Sequence, residues 1–177
     1  MPSTKVRQPG IDLPTWLRAV LMLDPDADAL QFEGRWWTWG WMAAGVDSLE
    51  RLLDAAGFGD GTKVGVLMRN RPAIVRTVAA TLATRNCLVT LSPAIPIHEL
   101  SGEIGRLRLP VVIAGEADWA NEHLHASVAA AGSIGVAAGE EETPYRVVVQ
   151  GGPRAAGVVD SAPGVAIQML TSGTTGP

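Results

Sequence analysis

The chain has 177 residues, of which 47% are hydrophobic and 18% charged, with a formal net charge of −4. This composition excludes intrinsic disorder. The acidic balance argues against a nucleic-acid or anionic-membrane binder, whose affinity rests on clustered lysine and arginine. The length suits one domain, or a large piece of one, with a core of its own.

Turn formers surround a short apolar helix predicted over Thr15 to Leu23. Two apolar stretches then flank Glu33-Gly34 between Ala29 and Trp37, the pattern of a hairpin. Thr38 precedes a helical stripe of Met42, Val46, Leu49, Leu52, Leu53 and Ala56, spaced by threes and fours. Its hydroxyl suits an N-cap, and Gly57 suits the left-handed residue that ends a helix.

At Lys63 the pattern changes to alternating buried strands and helices. The first strand is Val64 to Met68, an unbroken apolar run of the kind covered on both faces. Pro72 opens a helix through Thr84. Asn86, which tolerates a left-handed backbone, leads into a strand over Cys87 to Leu91. A helix follows over Ile97 to Leu107, a strand over Val111 to Ala114 and a helix over Trp119 to Ala131. Arg146 to Gln150 reads as another strand, Gly151 to Gly164 as loop and Gly164 to Leu170 as a last strand.

The pattern predicts two units: residues 1–60 (helix, hairpin and helix) and residues 61–177, an α/β unit. The alternation means βαβ crossovers, a mostly parallel sheet and helices on both faces. In such sheets ligands bind beyond the carboxyl ends of the strands.

Several other side chains are candidate sites. Cys87 is the only cysteine, which rules out an internal disulfide and a cysteine-built zinc site and suits a reducing compartment. Inside an apolar strand it reads as a small buried hydrophobe. His123 and His125 are two apart and do not share a helix face. His98 beside Glu99 reads as a surface pair, and Glu140 to Glu142 as a solvated loop. Trp36, Trp37, Trp39 and Trp41 read as packing between hairpin and helix, with their N–H groups at the surface. No secretory leader or membrane span is read: Arg18 interrupts the first apolar stretch, and Arg76, Arg85 and Asn86 the longest. The expected setting is soluble and cytoplasmic.

The last strand runs into Thr171-Ser172-Gly173-Thr174-Thr175-Gly176-Pro177. Glycines let backbone N–H groups curl around phosphate oxygens, and hydroxyls add donors without bulk. A Walker A loop needs Lys after its final glycine; Pro177 stands there instead. A loop of the same composition with no ligand is the alternative.

In this context Thr171 to Gly176 resembles the phosphate-binding signature of the adenylate-forming enzymes, which include acyl-CoA synthetases, luciferases and nonribosomal-peptide adenylation domains. The likeness extends over roughly residues 25 to 177. Asp28 to Trp41, Gly57 to Leu67, Asn70 to Pro93 and Pro96 to Leu107 are similar to the family's hairpin, first parallel strand and following βα elements. Trp41 replaces a glutamate that would complete a capping box. Asn86 stands where the family has glycine, and is expected to take the same backbone shape.

The resemblance implies the first part of the family's large N-terminal domain. It implies that Thr171, Ser172, Gly173, Thr174, Thr175 and Gly176 hold ATP phosphates. The activity implied is ligation of a carboxylic acid to a thiol, usually that of coenzyme A, by way of an acyl-adenylate. A carrier protein as acceptor, or a non-catalytic fragment, are the alternatives. The catalytic lysine, the ribose-binding aspartate and the Mg2+ ligand are expected beyond residue 177, so no catalytic or metal residue is assigned within the chain.

Overall fold

Glu33 and Gly34 both take positive φ, 50° and 80°. They form the two-residue turn whose twist matches a hairpin, joining β1 (Asp28–Phe32) to β2 (Arg35–Thr38). The structure, a computed structural model, describes residues 12–152 and 160–169. Ahead of the hairpin lies α1 (Leu13–Leu21), shifted two residues towards the N-terminus of the expected helix, with Pro14 in its first turn.

Thr38 ends β2 and caps α2 (Trp39–Ala55) by accepting from the Trp41 N–H at 3.2 Å. The indole of Trp41 cannot return the favour to the backbone, so only half of a capping box forms. Gly57, at φ +76°, closes the helix. Its N–H donates to the Asp54 carbonyl and that of Phe58 to Leu53, the paired bonds of a Schellman end.

The sheet is built from β3 (Lys63–Leu67), β4 (Cys87–Leu91), β5 (Val111–Gly115), β6 (Ile134–Ala138), β7 (Tyr145–Val149) and β8 (Ile167–Met169). Their order is β7-β6-β5-β3-β4-β8, and every neighbouring pair is parallel except β6 and β7. The chain is therefore α/β with a mostly parallel sheet, as expected. On one face α1, α2 and α3 (Pro72–Ala83) bury Leu49, Leu53 and Ile74 against Val64, Val66 and Val111. On the other, α4 (Ile97–Leu107) and α5 (Glu122–Ala130) bury Ile104 and Val128 against Val89 and Val112.

Three expectations need correction, and one strand has no counterpart in the sequence reading. Strand β6 carries little strand signal, because Gly135, Ala137 and Ala138 have weak strand preference. Its backbone is recruited because small residues fit there: a Cβ on Gly135 would lie 2.7 Å from both Trp119 and Val149. The continuous helix expected from Trp119 is a 3₁₀ turn (Glu116–Ala120) followed by α5. Asn121 separates them and caps α5 by accepting from the His123 N–H at 3.0 Å.

The left-handed residue after α3 is Arg85 (φ 60°), not Asn86. Asn86 is buried, and its side-chain amide donates to the Thr84 carbonyl and hydroxyl at 3.0 and 2.9 Å. Arg85 can take the strained position because its side chain leaves for the surface, where it grips the Asp12 carboxylate at 2.9 and 2.7 Å. The last strand is also shorter than expected, since regular pairing begins only at Ile167.

Candidate functional site

The parallel strands β3, β4, β5, β6 and β8 all end at one edge of the sheet. Strand β8 is held in register beside β4, with Leu88 opposite Ile167, Val89 opposite Gln168 and Thr90 opposite Met169. The Leu88 N–H also donates to the Ala166 carbonyl at 2.9 Å, fixing the strand's entry. Met169, the last described residue, thus lies at the carboxyl edge. The predicted phosphate loop, Thr171, Ser172, Gly173, Thr174, Thr175 and Gly176, starts two residues later and lies outside the described residues.

Two cavities open on this edge. One, of about 650 Å³, spans the ends of β3, β5 and β6 and is walled by Arg69, Arg71, Gly115, Gly139 and Glu141. The other, of about 330 Å³, is lined by Leu67, Ile95, Leu100 and Leu124 together with the polar Asn121. Arg69 and Asp118 border both. They form an ion pair, with Arg69 Nε and Nη2 at 3.0 and 2.9 Å from Asp118 Oδ1. Arg71 lies 3.5 Å from Glu33 and over the Phe32 ring. Sequence reasoning passed over Arg69, Arg71 and Asp118. The available signal was Met68-Arg69-Asn70-Arg71, two guanidinium groups in the four residues following a buried strand.

A third cavity, of about 440 Å³, lies at the opposite edge between Asp12, Leu82, Arg85, Ser161 and Val165. The Ser161 N–H donates to the Gly61 carbonyl there, tying the approach to β8 to the entry of β3.

Arg76 is the other side chain that sequence reasoning missed. It is fully buried on α3. Its stem runs so close beneath α2 that a Cβ on Gly45 would meet Arg76 Cγ at 2.5 Å. The guanidinium sits 3.9 Å from the Trp41 ring centroid, a cation–π arrangement. It donates to the carbonyls of Gly139 at 2.5 Å and Glu141 at 3.2 Å. Trp41 Nε1 donates to the Glu140 carbonyl at 3.0 Å. The turn from Gly139 to Glu141, which walls the larger cavity, is thereby fastened to α2 and α3 through its backbone. Glu141 and Glu142 are exposed, as expected for a solvated run.

Burial lowers Arg76 from its ordinary pKa to about 10. The neighbouring phenol of Tyr145 is pushed up from 10.0 to about 12, mainly by burial. Tyr145 is the only tyrosine in the chain, so phenolate absorbance reads one site. We expect its titration midpoint near pH 12; a midpoint near 10 would contradict its burial. The sign for stability follows from linkage. The neutral phenol's contribution is whole below pH 10 and is lost as pH rises towards 12. The cost of burying charged Arg76 is present below pH 10 and relieved above it. The two trends oppose each other, so Tyr145→Phe should gain stability relative to the parent chain across pH 10 to 12.

The remaining candidates resolve as follows. Trp37 is buried and tilted against Trp41 at 5.7 Å, while Trp36 is half exposed. The tryptophans do pack hairpin to helix, but the surface placement of their N–H groups is corrected. Trp41 bonds the Glu140 carbonyl, and Trp37 Nε1 is buried with no acceptor among the described residues. His125 Nε2 lies 3.2 Å from the Val148 carbonyl, and His98 lies 3.9 Å from Glu99. Among the described residues no three of His, Cys, Asp and Glu gather to hold a metal. Cys87 is buried, and burial raises its thiol pKa. No described helix is long and apolar enough to cross a membrane.

A family model described as AMP-binding enzyme matches residues 17–177. No curated protein matches the sequence significantly. Among solved structures, ATP-bound MatB from Rhodopseudomonas palustris superposes on 90% of this chain with a TM-score of 0.65 at 21% identity, using 33% of its own length. VinN matches 65% of the chain, with a TM-score of 0.56, 20% identity and 30% of its own length. The nonribosomal peptide synthetase FmoA3, in its α-methyl-L-serine-AMP bound form, matches 62% of the chain, with a TM-score of 0.57, 21% identity and 12% of its own length. At these identities the likeness is one of fold. The chain spans about a third of the length of MatB.

Proposed function

Because this chain belongs to the AMP-binding enzyme family, we propose that it is the N-terminal part of a ligase joining a carboxylic acid to a thiol through an acyl-adenylate. One observation carries the reading. Strand β8 runs parallel beside β4 and ends at the carboxyl edge, where nucleotides bind in such sheets, and the Thr/Ser/Gly run follows it in the sequence. The donor set of Thr171 to Gly176 suits phosphate oxygens, and a 650 Å³ cavity at the carboxyl ends of β3, β5 and β6 bears Arg69 and Arg71 on its wall.

In this reading a carboxylate oxygen attacks the α-phosphorus of ATP and the bond to pyrophosphate breaks. The loop holds the β- and γ-phosphates while negative charge gathers on the departing pyrophosphate. Donors fixed in place before that charge develops stabilise it without reorganising. Mg2+ would neutralise the same oxygens, through ligands proposed to lie beyond residue 177. A thiol, that of coenzyme A in the first instance, then displaces AMP from the acyl carbon. A carrier-protein thiol is the second reading, favoured by the likeness to a nonribosomal peptide synthetase. The proposed cytoplasmic setting rests on Cys87 as the single, buried cysteine.

The test is carboxylate-dependent exchange of pyrophosphate into ATP by the intact ligase, over fatty, aromatic, dicarboxylic and amino acids. Exchange with one class supports the reading, and thioester formation with coenzyme A separates the two acceptors. No exchange with any class overturns it. The 177-residue chain alone should remain at background, because the proposed ribose, magnesium and carboxylate contacts lie outside it. Turnover by the chain alone would place those contacts within it.

A further inference from the structure

Strand β8 is lightly held. It is three residues long, it lies at the edge of the sheet, and its Ile167 and Met169 are 47% and 71% exposed. Its approach, residues 160–166, is not packed closely on the helices beside it, because the cavity of about 440 Å³ lies between Ser161 and Val165 on one side and Asp12, Leu82 and Arg85 on the other. Two backbone bonds, each of 2.9 Å, tie this approach to the sheet. The Ser161 N–H donates to the Gly61 carbonyl at its start, and the Leu88 N–H donates to the Ala166 carbonyl at its end. With so little side-chain burial, the place where β8 begins depends on these bonds.

The acceptor at the start is itself fixed from the other side. Gly61 is left-handed, at φ +80°, and its N–H donates to the Arg85 carbonyl at 2.9 Å. Arg85 is left-handed too, at φ 60°, and its guanidinium grips Asp12 at the head of α1. The peptide groups of Arg85, Gly61 and Ser161 thus form a chain of bonds from the end of α3 to the approach of β8. Rotation of Gly61 to the usual negative φ would turn one of its two bonded groups away from its partner.

We propose that Gly61 and Arg85 are positioning residues for the phosphate loop: through the Ser161 N–H they set where β8 begins, and so where it ends ahead of Thr171. This inference rests on the proposed ligase reading, in which residues 171–176 hold ATP. A Cβ on Gly61 would meet Ser161 Oγ at 3.6 Å and Asp160 Cβ at 3.8 Å, both ordinary contacts. A substitution there therefore acts through the backbone and not through a clash. Left-handed backbone is disfavoured for alanine and tolerated by asparagine. Gly59, two residues earlier, lacks a positive φ and has nothing within 4 Å of an added Cβ, which makes it the matched control.

The first measurement is hydrogen exchange on the 177-residue chain. Gly61→Ala should speed exchange of the β8 amides about tenfold, the order of the left-handed penalty, while β5 stays protected. Ser161→Pro deletes the donor itself and should do the same. Ser161 lies outside helices and strands, so this variant tests the bond even if Gly61→Ala does not fold. Gly61→Asn should keep most of the protection, and Gly59→Ala should change nothing. The second measurement is adenylation by the intact ligase. There Gly61→Ala and Ser161→Pro should raise KM for ATP several-fold, with kcat and the KM for the carboxylate held, and Gly61→Asn should return it; lost stability alone would not single out ATP. Unchanged exchange at β8 in both variants overturns the proposal, whatever the kinetics. Faster exchange with an unchanged KM for ATP overturns it too, since the strand then loosens without disturbing the phosphates. Failure of the ligase reading shows separately, as a parent enzyme without pyrophosphate exchange, and takes the phosphate role of Gly61 and Arg85 with it while leaving the result on β8.

Discussion

Replacing Arg76 with alanine should lower the unfolding free energy by about 3 kcal/mol, the range of a large-to-small change in a core. The guanidinium and its stem fill the space between Gly45, the Trp41 ring and the Gly139–Glu141 turn. Alanine would leave a cavity there and strip a donor from the Gly139 carbonyl. Arg76→Met separates volume from charge. Methionine restores most of the packing and removes the cost of a buried cation, but it strips the same donors from the Gly139 and Glu141 carbonyls. We therefore expect it to cost less than alanine, about 1–2 kcal/mol. Urea unfolding of the two variants against the parent chain measures both. An alanine variant as stable as the parent would mean that the buried arginine contributes nothing to joining the turn to the helices.

The second large effect is expected at the phosphate loop of the intact ligase. Thr174→Ala removes one proposed donor. If its hydroxyl meets charge that develops only in the transition state, kcat for adenylation should fall by about 10²–10³. If it binds ground and transition states alike, KM for ATP rises and kcat holds. Gly173→Val places a β-branched side chain where phosphate must approach the backbone, and should abolish measurable exchange. Thr143→Ala is the control, since Thr143 is exposed in the turn between β6 and β7. Unchanged adenylation in folded Thr174→Ala and Gly173→Val enzymes would leave the loop without a role in phosphate binding.

Elements with a local cause could be read from the sequence. The Glu33-Gly34 turn, the Thr38 cap, the Pro72 start and the apolar runs of β3, β4 and β5 each declare themselves within a few residues. Strand β6 does not, because Gly135, Ala137 and Ala138 become a strand only through Trp119 and Val149 packing around them. Arg76 was legible only as a charge interrupting an apolar run. Its acceptors lie 63 and 65 residues away, beyond any pattern of spacing. Arg85 and Asn86 exchanged their expected roles for a similar reason: the distant Asp12 gives the arginine somewhere to go. At the candidate site, composition singles out the Thr/Ser/Gly run, which lies outside the described residues. The ion pair of Arg69 with Asp118 depends on two strands lying side by side, which no single segment reveals.

The fastening of α2 and α3 to the turn after β6 also constrains the order of events during synthesis. The Trp41 indole waits 99 residues for its acceptor, the Glu140 carbonyl. Until that turn has left the ribosome, the Arg76 guanidinium keeps its water and the amino end of α2 is held only locally, by the Thr38 cap and by the Trp39 and Gly40 N–H groups donating to the Ala27 and Pro25 carbonyls. A nascent chain stopped short of Gly139 therefore holds α2 and α3 with their shared cation still hydrated. The layer can lock only when the turn arrives, so this part of the molecule consolidates late although its residues emerge early.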